Sequence, residues 1–207
     1  MKLNILLAGA TIATATLLSA AAANAGVLNG SFENADLSGW SGGNFVLTTN
    51  SNGYLPTDGV FLAKGDAGCG DGVYCTLSQT FSTTGGEFSG DAAFVANDYL
   101  PFNDDAFVSI SDGETTLFFS SISAVGDFGT SGWTHFTHTL AAGSYTVTAG
   151  VRNNGDNGYS SQILIDNFAV AEGGVPEPAS WALMLTGFLG AGATLRNRRR
   201  MALAATA

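Results

Sequence analysis

Alternation with a period of two runs through most of this chain, and it constrains the fold more than any other feature. Val73, Cys75, Leu77 and Phe81 share one parity, while Thr76, Ser78 and Thr80 fall on the other. Ala106, Val108 and Ile110 alternate with Phe107, Ser109 and Ser111, and "SDGE" then predicts a hairpin turn before "TTLFFSS". Phe136, His138 and Leu140 precede the turn "AAGS", after which Tyr145, Val147, Ala149 and Val151 alternate with Thr146, Thr148 and Gly150. "SQILIDNFAV" predicts a last, largely buried strand. Successive side chains of a strand point to opposite faces, so these runs describe strands with one face in a core. Clusters of Gly, Asn, Asp and Ser separate them, as hairpins and loops require. No long stretch of 26–174 carries a helical period, and no repeat of about 20–50 residues argues for a propeller or solenoid. The expected fold class is all-β, a β-sandwich with little helix.

The two ends of the chain do not share this pattern. Lys2 leads an apolar and Thr/Ala-rich run to Ala23, and Ala23 and Ala25 provide the small residues of a signal-peptidase site. Residues 1–25 are thus read as a signal peptide, with Gly26 as the new N-terminus. Near the other end, residues 179–195 carry no charge and form an expected transmembrane segment about 25 Å long as a helix. Arg196, Arg198, Arg199 and Arg200 follow at once, which places that end on the cytoplasmic side. Residues 201–207 are a short tail. What remains, 26–174, has the size of one domain.

That domain is strongly acidic. Sixteen Asp and Glu stand against Lys64 and Arg152, a net charge of −14. Phosphate backbones need a basic surface, so nucleic acid is excluded as a partner. Cys69 and Cys75, in "GCGDGVYC", are expected to form a disulfide in an exported chain, and no Cys/His spacing suits zinc.

Two sets of motifs carry resemblances. Pro176-Glu177-Pro178, the apolar span and the arginine cluster together resemble the PEP-CTERM sorting signal of Gram-negative bacteria, over 175–200. The resemblance implies an exosortase as partner, transient anchoring in the inner membrane, and cleavage near the motif with delivery to the cell surface or matrix of a biofilm. "VLNGSFENADLSGW" at the start of the domain and "YSSQILIDNFAV" at its end resemble the galactose-binding-like jelly roll shared by many carbohydrate-binding modules. That resemblance implies that the two motifs lie close together, and that a structural Ca2+ ties them. Glu33 and Asp166 match its carboxylate positions, with carbonyls from the Asn29–Ser31 region completing the shell. Asp166 is also expected on one face with Leu164, Phe168 and Val170, where a bare carboxylate is costly.

Catalysis finds no support. "GWSGG" matches a nucleophile elbow only formally, since a strand rather than a helix follows it. His135 and His138 are three apart on a strand and point to opposite faces. Asp104 and Asp105 are neighbours that also point apart; whether they make a second metal site with Asp98 is a question for the structure. The chain is read as a non-enzyme, and two functions stand. One is a module that binds exopolysaccharide; the other is a structural matrix or adhesion protein without a glycan site, with a surface hydrolase as a lesser third. Exposed aromatics discriminate, and Trp40, Tyr54, Tyr99, Trp133 and Tyr159 are the candidates, with Trp40 and Trp133 also suited to the core.

Overall fold

The alternating runs become strands. The computed structural model describes residues 26–111, 115–172, 184–189, 192 and 196. In chain order the elements are β1 (Ser41–Gly42), β2 (Phe45–Thr48), β3 (Leu62–Asp66), β4 (Cys75–Thr83), β5 (Gly86–Val95), β6 (Asp105–Ile110), β7 (Thr115–Ser121), the single-turn α1 (Ile122–Val125), β8 (Thr134–Leu140), β9 (Gly143–Arg152) and β10 (Gln162–Glu172). They form two five-stranded antiparallel sheets, in the orders β1-β4-β9-β6-β7 and β2-β3-β10-β5-β8. Strands 4-9-6-7 in one layer and 3-10-5-8 in the other are the wrap of a jelly roll.

The core between the sheets is built from the inward parity of each strand. Val147, Ala149 and Val151 of β9 and Ala106, Val108 and Ile110 of β6 face Ile163 and Ile165 of β10 and Ala92 and Phe94 of β5. Gln79 takes an inward position of β4 that lacks an apolar residue. Its amide grips the backbone of Leu28, accepting from the N–H at 2.7 Å and donating to the C=O at 2.8 Å. One end of the core is aromatic: Trp40 packs on Phe32 and Phe168, and Phe168 on Phe88 and Phe136. Here the opening and closing motifs meet. The Phe168 N–H donates to the Gly30 carbonyl at 3.0 Å, and a Cβ on Gly30 would stand 1.9 Å from the Phe168 carbonyl oxygen.

Two expectations are corrected. Val73 does not extend the inward row of β4; it is 52% exposed in the loop that the Cys69–Cys75 disulfide closes. Asp166 does not share a face with Phe168 and Val170, because β10 bulges between Asp166 and Ala169, with Asn167 at φ +57°. The extra residue reverses the parity. Ile163, Ile165 and Phe168 therefore face the main core, while Leu164 belongs to a second cluster on the outer side.

The signal peptide 1–25, most of "SDGE" (112–114), the motif Pro176–Pro178, most of 179–195 and the tail lie outside the described residues. Residues 184–189 are helical, and no helix among the described residues is long and apolar enough to cross a membrane.

Candidate functional site

A sandwich offers two outer sheet faces, and the described residues cover one of them. Outside the β10 sheet, Leu62, Ala93, Val95 and Leu164 form a second small core. The β2–β3 connection, 49–61, lies over it as a roof, with Tyr54 and Trp133 packed edge to face at 5.8 Å. Trp133 donates its indole N–H to the Leu55 carbonyl at 3.1 Å, and Tyr54 Oη accepts the Gly132 N–H at 3.1 Å. These two candidate aromatics hold the roof in place. Trp40 is 8% exposed and belongs to the main core.

The predicted metal residues also hold the roof. Fully buried Asp166 accepts at Oδ2 from the N–H groups of Thr57 (2.7 Å) and Asp58 (3.0 Å) and from Thr57 Oγ1 (3.2 Å). Its Oδ1 accepts from the Asn167 N–H at 2.7 Å. Burial pushes the Asp166 carboxyl up from the usual carboxylate range, and these donors oppose the shift. Across the sheet Asp166 lies beside Asp91, which binds His135 Nδ1 at 2.8 Å and receives Thr57 Oγ1 at 2.8 Å. Glu33, exposed, accepts at Oε1 from the N–H groups of Val60 and Phe61, both at 2.8 Å. Asn29 serves its own turn: Oδ1 accepts from Asn34 N–H, and Nδ2 donates to the Asp36 carbonyl. Ser31 is half-buried beside it. Glu33 and Asp166 thus grip one turn, 57–61, from two sides. Among the described residues no three His, Cys, Asp or Glu side chains converge as metal ligands. Both oxygens of Asp166 and Oε1 of Glu33 are already engaged by N–H or O–H donors.

Among the described residues the β4 sheet carries no such roof. Its outward positions line up in rows because the registers fix them. Phe119 of β7 stands opposite Phe107 of β6, which stands opposite Gly150 of β9, opposite Thr76 of β4. A Cβ on Gly150 would meet the Phe107 ring at 2.5 Å, so the glycine is the bed on which that ring lies. Phe119 is 60% exposed. The next rows are hydroxyls: Ser109, Thr148 and Ser78, then Ser111, Thr146 and Thr80. Phe107, Ser109, Ser111, Thr116, Thr146 and Thr148 line a groove of about 370 Å³, within the range of ligand-binding clefts.

On the other side of the aromatic row stands a charged cluster. Arg152 donates from Nε (2.9 Å) and Nη2 (2.8 Å) to Asp105 Oδ2. Tyr74 donates its hydroxyl to Asp105 Oδ1, lies under the Arg152 guanidinium at 4.6 Å, and packs edge to face on Phe107. Burial, then the bond to Asp105, pushes the Tyr74 hydroxyl up to about 12, so it stays a donor at neutral pH. Arg152, expected one strand from Asp166, is in the opposite sheet and serves this cluster instead.

Phe107 and Phe119 were not among the aromatics singled out from sequence. The signal was present for Phe107, an aromatic on the polar parity of its strand. For Phe119 it was hidden, because "LFFSS" places two Phe in succession and only the register shows which one faces out. Tyr99 and Tyr159 are exposed as expected, 41% and 70%, but at the loop end of the sandwich.

No protein-family model matches the chain, and no curated protein matches it in sequence. Among solved structures it is similar to the module TmCBM61 in complex with β-1,4-galactotriose, at 16% identity and TM-score 0.46, over 70% of this chain and 96% of that one. It is similar to the K3 cleaved adhesin domain of Lys-gingipain from Porphyromonas gingivalis, at 18% identity and TM-score 0.42, over 72% and 100% of the two chains. It is also similar to the C-terminal family 22 carbohydrate-binding module of Clostridium thermocellum Xyn10B, at 10% identity and TM-score 0.41, over 70% and 93%.

Proposed function

We propose that this is an exported, non-catalytic carbohydrate-binding protein of the cell surface or extracellular matrix, and that the open face of the β4 sheet holds a polysaccharide chain. The observation that carries this reading is the Phe119–Phe107 row, flanked by hydroxyl rows on one side and by Arg152 and Tyr74 on the other. A pyranose presents C–H groups on its ring faces and hydroxyls on its rim. An aromatic row takes the first, and a rigid array of donors and acceptors takes the second. Because the site stands on paired strands, it is preorganised and little ordering entropy opposes binding. Among the described residues the groove lining has no carboxylate or imidazole, and Asp105 beside it is tied to Arg152 and Tyr74. A binding role therefore suits it better than glycoside hydrolysis, which needs two carboxyl groups across the scissile bond. Export and sorting by an exosortase complete the proposal, on the strength of the ordered motif, span and arginines in the sequence.

Affinity electrophoresis of the full-length protein in gels cast with a panel of acidic and neutral polysaccharides tests the binding. Retardation is expected in at least one gel, with Phe107→Ala and Phe119→Ala each weakening it about tenfold or more. No retardation in any gel would leave the structural matrix protein as the function.

A further inference from the structure

Four loops close one end of the sandwich: 67–74, 96–104, 126–133 and 153–161. They are tied to one another by backbone and side-chain bonds. Gly72 N–H donates to the Asn153 carbonyl (2.8 Å), Gly155 N–H to Asp71 Oδ1 (2.7 Å), Asn97 Nδ2 to the Ser160 carbonyl (2.8 Å), and Phe128 N–H to the Asp98 carbonyl (2.9 Å). Beneath them Asp98 and Asp104 are 0% exposed and Asn153 is 1% exposed.

The three buried side chains are not equally satisfied. Asp104 accepts from Asn154 N–H at 3.0 Å and from Ser161 Oγ at 2.6 Å, one bond on each oxygen. Asp98 accepts from Tyr99 N–H at Oδ1, but its Oδ2 has no partner among the described residues. Asn153 donates from Nδ2 to Ser160 Oγ, but its Oδ1 has no partner among the described residues. Two buried acceptor oxygens therefore lack a donor among the described residues. They belong to one neighbourhood: Asn97, next to Asp98, donates to the Ser160 carbonyl and to Ser161 Oγ, and Asn153 and Ser160 adjoin Asn154 and Ser161, the two residues that bind Asp104. Two of the three groups, Asp98 and Asp104, are fully buried carboxylates. No cationic side chain relieves the pair: the sandwich has one lysine and one arginine, and these pair with Asp66 and Asp105.

Buried oxygens without donors, two of the three groups being carboxylates, call for a positive ligand. We infer that Asp98, Asp104 and Asn153 form a cation site at the loop end, and that its ligand is calcium. The donors are all hard oxygens, two carboxylates and an amide, which suits calcium and does not suit zinc or copper. The ion ties loop 96–104 to loop 153–161, and it sits below a cluster of exposed Tyr99 and Phe128 with half-buried Phe102. The site is distinct from the Glu33–Asp166 pair and does not rest on the polysaccharide reading.

The test is thermal unfolding of the full-length protein, chelator-treated and then titrated with calcium, comparing wild type, Asp98→Asn, Asn153→Asp and Asp166→Asn. At calcium a hundred times its Kd, wild type should gain roughly 5–10 °C. Asp98→Asn should lose the share of the gain that belongs to the loop end, a share that Asp166→Asn retains even where its own site contributes another. Asn153→Asp adds a carboxylate, so it should melt lower than wild type in chelator and recover with calcium. A buried water or a shared proton at Asp98 predicts something else: Asp98→Asn as stable as wild type in chelator, with its calcium response intact. That result overturns the site, as does an Asn153→Asp variant destabilised equally with and without calcium. If Asp98→Asn does not fold, the Asn153→Asp comparison decides alone.

Discussion

Two glycines show how differently a single methyl group acts in this sandwich. At Gly30 the added Cβ would meet backbone, the Phe168 carbonyl at 1.9 Å, and neither partner can yield without breaking the bond that joins the opening motif to the last strand. Gly30→Ala should lower stability by about 3 kcal/mol or more, read as a fall in the denaturant midpoint. At Gly150 the Cβ would meet the rim of a ring, Phe107, on the outer face. The ring can tilt away, so Gly150→Ala should cost only about 1 kcal/mol. It should nevertheless weaken polysaccharide retardation as far as Phe107→Ala does, because the ring leaves its place in the aromatic row. A Gly150→Ala protein that binds as wild type does would show that the row is not the binding surface. Neither contact is visible in the sequence. "NGSFE" announces a turn and "TAGVR" a weakened strand position, but which atom stands over each glycine depends on registers set by distant strands.

At the scale of elements, the roof over the β10 sheet depends on a few acceptors. Asp166→Ala leaves the Thr57 and Asp58 N–H groups without partners beside a buried patch, a loss of about 2–4 kcal/mol. Hydrogen exchange should locate it, with amides of 54–61 exchanging far faster while those of β9 change little. Calcium at Glu33 and Asp166, with carbonyls of Asn29–Ser31, is proposed as a second support for this turn. An unchanged melting point on chelation, or an undiminished calcium response in Asp166→Ala, removes that ion from the account. The roof shows why element-level reading stopped short. Period two identifies β4, β6, β8 and β9 and their inward residues, because each has one dry face. β10 is covered on both sides, by the core and by the roof, so parity alone could not place Asp166, and the bulge at Asn167 reversed it. The β3–β4 connection was easier, since a chain with two cysteines has one possible internal pairing. Replacing Cys69 and Cys75 by Ser should lower stability by about 2 kcal/mol, the loop-closure value for so short a ring. On denatured, unreduced protein a thiol reagent should label neither cysteine.

For the whole molecule, what matters is where the chain enters and leaves the sandwich. Gly26 N–H donates to the Ser82 carbonyl at the end of β4, and Glu172 pairs with Gly86 at the start of β5. Both termini of the domain therefore lie by the β4–β5 turn, and the loop end with Asp98, Asp104 and Asn153 is at the far end of the strands. If the proposed span lies in a membrane, the β4–β5 end of the domain is the one joined to it and the loop end is the far one. Only five residues separate Glu172 from the Pro178 that closes the proposed sorting motif. A protease acting there works next to a folded body, and cleavage should free the domain without cutting any strand. Mass spectrometry of protein recovered from the cell surface and matrix should thus find an N-terminus at Gly26 and a C-terminus near the motif, with no peptide spanning residues 181–195. An intact peptide from that span in matrix-released protein would show that the chain leaves the membrane uncut, and that the motif does not direct its processing.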